Sequence, residues 1–189
     1  MPTANPPDAA HDTRSLWTIG HSTRSADEFC ALLRAHAIDG LADIRAIPRS
    51  RRHPHFGREA LDARLREEGI AYRHFPALGG LRKPRPDSPN GAWKNASFRG
   101  YADYMGTPAF EAGLDALLEF AGGRRVAAMC AEAVWWQCHR MLVSDALVAR
   151  GIDVAHIMSQ RGSSSAQPHR LTPFAHVGAD RQVSYPGLV

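Results

Sequence analysis

Two short segments of the chain combine thiols with ionisable side chains, Cys130-Ala131-Glu132 and Cys138-His139-Arg140. Glu132 can act as a general base, a general acid or a nucleophile, and its pKa would depend on burial and on a nearby Arg45 or Arg140. The alternative is a structural carboxylate that caps a helix or pairs with an arginine. We expect the catalytic role, with Cys138, His139 and Arg140 as ligand-binding residues beside it.

The cysteines of these segments allow other chemistries. Cys130 ends a buried strand and Cys138 begins an apolar helix face, so both are expected to pack as small hydrophobic side chains. A thiolate nucleophile is the functional alternative, and Cys130 is a candidate catalytic residue on that ground. A zinc site is not expected, because seven residues between the cysteines is not a usual ligand spacing. The Cys-x5-Arg loop of thiol phosphatases is excluded, because Trp136 stands six residues after Cys130.

Polar residues also follow two other segments that are predicted to be strands. His21 and Ser22 come after the first strand, in a turn that resembles a phosphate- or substrate-binding turn. Asp43 and Arg45 lie at the tip of the second strand, where opposite charges are costly unless they are paired or functional. Asp43 is the candidate second carboxylate that cleavage of a glycosidic bond would need beside Glu132.

Positive charge is concentrated in residues 45–99, which hold 13 Lys and Arg against 5 Asp and Glu, while the whole chain carries +4. A GC-rich genome would also enrich arginine. The clustering nevertheless favours an anionic ligand, because the planar guanidinium suits phosphate and carboxylate groups. We expect Arg49, in the loop after the second strand, and Gly79-Gly80, after the third, to contact that ligand.

The pattern of apolar residues predicts alternating strands and helices. Strands are expected at 16–19, 40–45, 70–75, 125–130 and 154–158, and a small hairpin at 171–185. Helices are expected after a capping box formed by Ser25 and Glu28, at 58–68 before Gly69, at 97–105, from Thr107-Pro108 to about 120, and from about 135 to 150.

These elements indicate an α/β fold, a single domain with a mostly parallel sheet flanked by helices on both faces. Residues 16–189 are expected to form that domain, and residues 1–15 to be a disordered leader. In such sheets ligands bind at the carboxyl ends of the strands, which is where the polar residues named above are found. The candidate site is therefore expected at that edge.

Size and composition fit one globular domain, with 189 residues, 44% of them hydrophobic and 22% charged. No apolar run approaches the roughly 18 residues that a membrane span needs, and the N-terminus lacks the apolar segment of a secretory signal. Three cysteines without a disulfide pattern fit a reducing compartment. We therefore expect a cytoplasmic protein with no membrane partner, and its oligomeric state is left open.

The chain carries five groups of residues in a fixed order: Thr18-Ile19-Gly20-His21-Ser22, Asp43-Ile44-Arg45 with Pro48-Arg49-Ser50, Leu78-Gly79-Gly80, Met129-Cys130-Ala131-Glu132 with Cys138-His139-Arg140, and His169-Arg170-Leu171 with Tyr185-Pro186-Gly187. In these groups it resembles the bacterial domain-of-unknown-function family numbered 488, from about residue 16 to the C-terminus. The resemblance implies an intracellular α/β domain, and it implies little about a reaction.

Two functions from different classes remain open. The first is a small enzyme, a hydrolase or transferase acting on a nucleotide-like or other phosphorylated substrate, in which Glu132 is the acid/base or nucleophile and Arg45, Arg140 and His21-Ser22 hold the anion. The second is a nucleic-acid-binding module that uses residues 45–99, with Trp93, Phe98 and Tyr101 as stacking platforms. The enzyme is preferred, because the charge of Glu132 would repel a phosphate backbone. Neither a cofactor nor a metal is expected.

Overall fold

The computed structural model describes residues 15–159, 162 and 165–187. In this part of the chain the strands are β1 (Ser15–Gly20), β2 (Gly40–Asp43), β3 (Ala71–His74), β4 (Val126–Cys130), β5 (Asp153–Ile157), β6 (Gln167–Pro168), β7 (His176–Val177) and β8 (Val183–Ser184). The helices are α1 (Ala26–Ala35), α2 (Arg58–Glu67), α3 (Ala96–Met105), α4 (Pro108–Ala121) and α5 (Arg140–Ala149). The expected disordered leader, apart from Ser15 in β1, lies outside the described residues.

The main sheet has six strands in the order β3-β2-β4-β1-β5-β6. Its first five strands are parallel, and β6 pairs antiparallel with β5. The strands β7 and β8 form a separate hairpin inside the segment predicted for one. The chain leaves β1 toward β2 and leaves β4 toward β5, in opposite directions along the sheet. The loops that follow these neighbouring strands therefore diverge at one edge of the sheet.

Apolar side chains fill both faces of this sheet. On one face, Phe29 and Leu33 of α1 and Leu61 of α2 belong to a buried cluster with strand residues such as Ile19. On the other face, α3, α4 and α5 contribute to a second and larger cluster. The predicted α/β fold with helices on both faces is therefore confirmed. No helix in the described residues is long and apolar enough to cross a membrane.

Local signals set several element ends where the sequence predicts them. Ser25 and Glu28 form the complete capping box, with Glu28 N–H donating to Ser25 Oγ at 3.1 Å and Ser25 N–H to Glu28 Oε2 at 2.8 Å. Gly69 follows α2 with φ +71°, the left-handed conformation that ends helices. Pro108 occupies the first position of α4 after the cap Thr107.

The helix predicted to begin near residue 135 begins instead at Arg140, and that prediction is corrected. Trp135–Gln137 forms a single 3-10 turn. Its Trp135 indole stacks on His156 of β5, with ring centroids 4.2 Å apart and planes at 8°, and donates to Gln167 Oε1 at 3.3 Å. Because this tertiary packing holds the turn against β5 and β6, the chain enters α5 later than the local pattern indicates. Cys138 consequently lies just before α5 and not on its apolar face.

Candidate active site

The carboxyl ends of β1, β2 and β4 lie side by side. In the sheet register Gly20 pairs with Cys130 and Asp43 with Met129. The pairing continues past the strands, because His21 N–H donates to the Cys130 carbonyl at 2.9 Å. A Cβ atom at Gly20 would overlap the backbone carbonyl that follows β4, so only glycine lets the two chain segments approach this closely. The loops after the three strands therefore share one edge of the sheet.

A cavity of about 690 Å³ opens at this edge. Eight of the residues singled out in the sequence line it, namely His21, Arg45, Arg49, Gly80, Cys130, Glu132, Cys138 and His139. Phe98 and Tyr101, proposed above as stacking residues, also line it. The start of α3 adds Asn95 and Ser97, which were not predicted from the sequence. Asn95 caps this helix by accepting from Ser97 N–H at 2.8 Å, a signal that the sequence contains.

His139 has a defined orientation on the floor of the cavity. Its Nε2 lies 3.0 Å from the carbonyl oxygen of Ile44, and because a carbonyl only accepts, this nitrogen carries the proton. In the neutral ring Nδ1 then holds the lone pair. This atom lies 3.8 Å from Cys130 Sγ and 3.7 Å from Cys138 Sγ. Two thiols and one imidazole nitrogen thus converge on a common point.

The two cysteines differ in electrostatic environment. Cys138 Sγ is 3.5 Å from both the backbone N–H and the Nε–H of Arg140, at the start of α5. The hydrogen bond from Cys130 and the nearby positive charge of Arg140 hold the pKa of the Cys138 thiol below its usual value. The same hydrogen bond, together with burial, raises the pKa of Cys130. Cys138 is therefore the more acidic thiol of the pair.

The two cysteines are buried, as expected of packing residues, and they also border the cavity. Cys130 and Cys138 are 8% and 3% exposed. The prediction of ligand-binding Cys138 and catalytic Cys130 stays a prediction. The argument against a metal site used only the spacing of the two cysteines in the sequence. In the fold, the ligand atoms of Cys130, Cys138 and His139 lie within 4.8 Å of one another.

Arg140 is buried beneath the cavity and does not line it. Its NH2 group donates to the backbone carbonyl of Glu132 at 2.5 Å, and not to the carboxylate. Among the described residues, no side chain forms an ion pair or hydrogen bond with the Glu132 carboxylate, which is exposed at the cavity mouth. Arg140 therefore positions the segment that carries Glu132, and its direct contact with a ligand stays a prediction.

Asp43 and Arg45 form the buried pair that their positions suggested. Arg45 Nε donates to Asp43 Oδ1 at 2.9 Å and Arg45 NH2 to Oδ2 at 2.6 Å. The Arg45 N–H and the Tyr72 hydroxyl also donate to this carboxylate, at 3.1 and 2.7 Å. With four donors and no exposure, Asp43 does not reach the cavity, so the geometry does not provide it as a second carboxylate beside Glu132.

His21 holds the third nitrogen of the Arg45 guanidinium. Its Nδ1–H donates to the Ser22 carbonyl at 2.9 Å, which leaves Nε2 as an acceptor 3.4 Å from Arg45 NH1. Burial, followed by the nearby Arg45, lowers the pKa of His21 to about 4, so the ring is neutral near pH 7. Stacking of this ring on Phe56, at 4.2 Å, fixes its plane. Arg45 is thus held in one orientation.

Two predicted ligand-binding residues do not reach the cavity. Ser22 lies outside the lining, and its backbone N–H donates to Ala131 O at 2.9 Å. Gly79 packs so closely on the backbone of Ala46 that a Cβ there would lie 2.7 Å from Ala46 Cα. Both residues shape the loops of the site rather than line it. Gly80, the next residue, does line the cavity.

The predicted stacking residues are largely enclosed. Tyr101 is 1% exposed and its hydroxyl donates to Leu78 O at 2.7 Å, so its ring offers no open face to a base. Trp93 is half-buried and packs on Phe98 and Tyr185, with ring centroids 4.9 and 5.4 Å away. This aromatic group therefore contributes to the packing of α3 against the C-terminal segment.

Part of the cationic region is neutralised by ion pairs. Arg64 pairs with Asp27 and Glu68, Arg66 with Asp62, and Arg85 with Asp87. In the part of the chain that the structure describes, Arg49, Arg51 and Arg52 make no ion pair. Of these three, Arg49 alone lines the cavity. Six further cationic side chains of residues 45–99, among them Lys83 and Lys94, also form no ion pair in the described residues.

Comparison with known proteins gives a family and no function. The chain matches no curated protein and no solved structure. The family model described as "Domain of unknown function DUF488" matches residues 25–147, more than half of the chain. The matched span includes Arg45, Gly80 and the segment from Cys130 to Arg140. The chain belongs to the domain-of-unknown-function family DUF488.

Proposed function

We propose that this protein is a small enzyme acting on an anionic substrate, nucleotide-like or otherwise phosphorylated, that binds in the cavity after β1, β2 and β4. One observation carries the proposal. Two arginines, Arg45 and Arg49, line the same 690 Å³ space as a converging group of two thiols and one imidazole nitrogen. An anion held by the arginines would therefore contact groups able to react with it.

The binding part of the proposal depends on preorganisation. Arg45 keeps its orientation through Asp43 and His21, so little conformational entropy is lost when an anion binds. Arg49 makes no ion pair in the described residues and is exposed in its loop. The first turn of α3 reaches the cavity through Ser97, and helix N-termini favour negative charge. These features support a phosphate or carboxylate group as the recognised element.

For the reaction itself, we propose that two kinds of group act on the bound anion. Glu132, exposed at the mouth, is the proposed general acid or base. The thiol–imidazole cluster on the floor is its proposed partner. Cleavage of a glycosidic bond by two carboxylates is not supported, because Asp43 is enclosed by four hydrogen-bond donors. Hydrolysis or group transfer that uses the cluster is the reaction class we propose.

A thermal-shift screen at low salt tests the binding part. Nucleotides, nucleosides, sugar phosphates and short oligonucleotides are compared on the wild type, Arg49→Gln and Arg51→Gln. A ligand at 100 times its Kd stabilises the native state by about 2.7 kcal/mol. We expect a small phosphorylated compound to give this shift, Arg49→Gln to lose most of it, and the control Arg51→Gln, in the same loop but outside the cavity lining, to keep it. Shifts from oligonucleotides alone, erased by salt, would instead support a nucleic-acid-binding module.

Turnover of the stabilising compound tests the role of Glu132. Removing a general acid or base costs about 100-fold or more in rate, so Glu132→Gln should bind the compound and turn it over at least about 100-fold more slowly. The matched control is Glu119→Gln, which changes an exposed carboxylate on α4. Equal turnover by the wild type and Glu132→Gln would show that Glu132 has no catalytic role.

A further inference from the structure

We propose that Cys130, Cys138 and His139 form a three-ligand zinc site whose fourth coordination position opens to the cavity. The inference rests on the proposed function, because it names the reacting centre of the same site. Each of the three side chains can offer one ligand atom, and all of these atoms lie within 4.8 Å of one another. The following observations separate a metal site from a chance cluster.

The donor separations match tetrahedral zinc. Zinc–sulfur bonds of about 2.3 Å and zinc–nitrogen bonds of about 2.0–2.1 Å place a sulfur and a nitrogen ligand about 3.6 Å apart. His139 Nδ1 lies 3.8 Å from Cys130 Sγ and 3.7 Å from Cys138 Sγ. Both sulfur–nitrogen distances are within about 0.2 Å of that separation. Little movement is needed to bring the ligand atoms around an ion.

The imidazole is already held as a ligand. Histidines that bind metals nearly always donate the other ring N–H to a carboxylate, a backbone carbonyl or water, which fixes the tautomer and the ring plane. His139 makes this contact through Nε2 and Ile44 O at 3.0 Å. Its Nδ1 lone pair is thereby directed at the two sulfur atoms.

The surroundings of the sulfur atoms suit thiolate ligands. The backbone N–H and the Nε–H of Arg140 both lie 3.5 Å from Cys138 Sγ, and such donors stabilise a metal-bound thiolate. Two thiolates neutralise the two charges of the ion. Sulfur and imidazole donors select zinc over magnesium or calcium, which prefer oxygen.

An open coordination position distinguishes this site from a structural zinc site, which is closed by four protein ligands. All three ligand residues line the cavity. Gly80 lies beside this space, because an added Cβ there would lie 3.1 Å from His139 Nδ1. Since glycine has no side chain, the space beside the ligand atoms stays clear. A water molecule or an anionic oxygen of the substrate can occupy the fourth position.

Titration with cobalt(II), a spectroscopic substitute for zinc, tests the proposal on reduced, chelator-treated protein. We expect one ion per chain, a sulfur-to-cobalt charge-transfer band, and the intense visible absorption of tetrahedral cobalt, with zinc displacing the ion. Loss of a ligand costs more than the 10–100-fold typical of an outer-shell change, so Cys130→Ala and Cys138→Ala should each weaken binding by more than about 100-fold. Cys30→Ala is the control, because Cys30 is buried in α1 on the opposite face of the sheet.

X-ray absorption at the zinc edge of the wild type gives a result even if a cysteine variant fails to fold. We expect two sulfur ligands at about 2.3 Å, completed by nitrogen or oxygen. A zinc shell without sulfur, or cobalt binding that Cys30→Ala weakens as much as Cys138→Ala, would overturn the proposal. Arg49-dependent anion binding by zinc-free protein would leave the proposed function standing in that case. Zinc binding without anion binding would reject the proposed function alone.

Discussion

The Nε2–H of His139 donates to the backbone carbonyl of Ile44 at 3.0 Å, joining the start of α5 to the end of β2. Ile44 is fully buried in the core cluster beneath α3, α4 and α5, so its carbonyl has a fixed position. Because this carbonyl is fixed, the hydrogen bond also fixes the orientation of the imidazole ring. It also holds His139 Nδ1 3.8 Å from the Sγ of Cys130, the residue that ends β4.

The buried pair of Asp43 and Arg45 makes a first prediction about stability. Asp43→Asn leaves the Arg45 guanidinium uncompensated in a buried position, and breaking such a pair costs about 3–5 kcal/mol in the free energy of unfolding. Tyr72→Phe is the control, because it removes one hydroxyl donor from the same carboxylate and should cost about 1 kcal/mol. Urea unfolding measures both. Equal losses for the two variants would contradict a charge-bearing pair.

A second prediction concerns the space above His139. Gly80→Ala adds a methyl group 3.1 Å from Nδ1, so we expect a folded protein whose cobalt affinity and anion-induced thermal shift are both reduced, by about 10-fold or more for the metal. Gly106→Ala is the matched control, since its added Cβ would meet Asp103 O at an ordinary 3.7 Å. If Gly80→Ala binds cobalt like the control, the fourth position does not face Gly80.

A third prediction concerns pH and starts from a buried chain of hydrogen bonds. The carboxylate of Asp145 accepts from His169 Nε2 at 2.8 Å, and His169 Nδ1 lies 2.9 Å from His156 Nε2. With both rings neutral, His156 Nδ1 accepts from the Thr18 hydroxyl at 2.7 Å. Burial, followed by the nearby His169 and Arg140, lowers the pKa of His156 to about 3. Folding therefore requires a neutral His156.

The sign of the pH effect follows from this shift. Between pH 6.5 and about 3 the unfolded chain binds a proton at His156 that the native state excludes, so the free energy of unfolding falls as the pH falls. At pH 5 the loss from this residue is about 2 kcal/mol, from 1.36 kcal/mol per pKa unit. The lowered pKa of His21 acts in the same direction. Denaturant unfolding from pH 7 to 5 measures the free energy of unfolding of the wild type and of His156→Gln. If the two free energies fall equally with pH, the prediction is contradicted.

The parts of the fold that the sequence predicts are those with local causes. The capping box of Ser25 and Glu28, the proline that opens α4 and the glycine that closes α2 each act within a few residues. The start of α5 could not be predicted, because the turn before it is held by stacking of Trp135 on His156 from another strand. Tertiary contact overrides the local pattern there.

In the candidate site, too, some features can be predicted from the sequence and others cannot. The polar residues at the strand ends are visible in the sequence, and the parallel sheet brings His21, Arg45 and Glu132 to one edge. The sequence does not show that Asp43 is enclosed by its four donors. Nor does residue spacing show that Cys130 and Cys138 converge on His139, since the 3-10 turn between them folds the chain back.

The most direct test asks whether the anion and the cysteine–histidine cluster occupy one site. Zinc-free, reduced protein is treated with iodoacetamide, with and without the phosphorylated compound that gives the largest thermal shift, and alkylation of each cysteine is followed by peptide mass spectrometry. At 100 times its Kd the compound leaves about 1% of the protein unliganded, so alkylation of Cys138 should slow by at least about 10-fold. Cys30 is fully buried, so it should stay largely unmodified with or without the compound. Alkylation of Cys138 at the same rate with the compound bound would place the anion elsewhere and contradict the account.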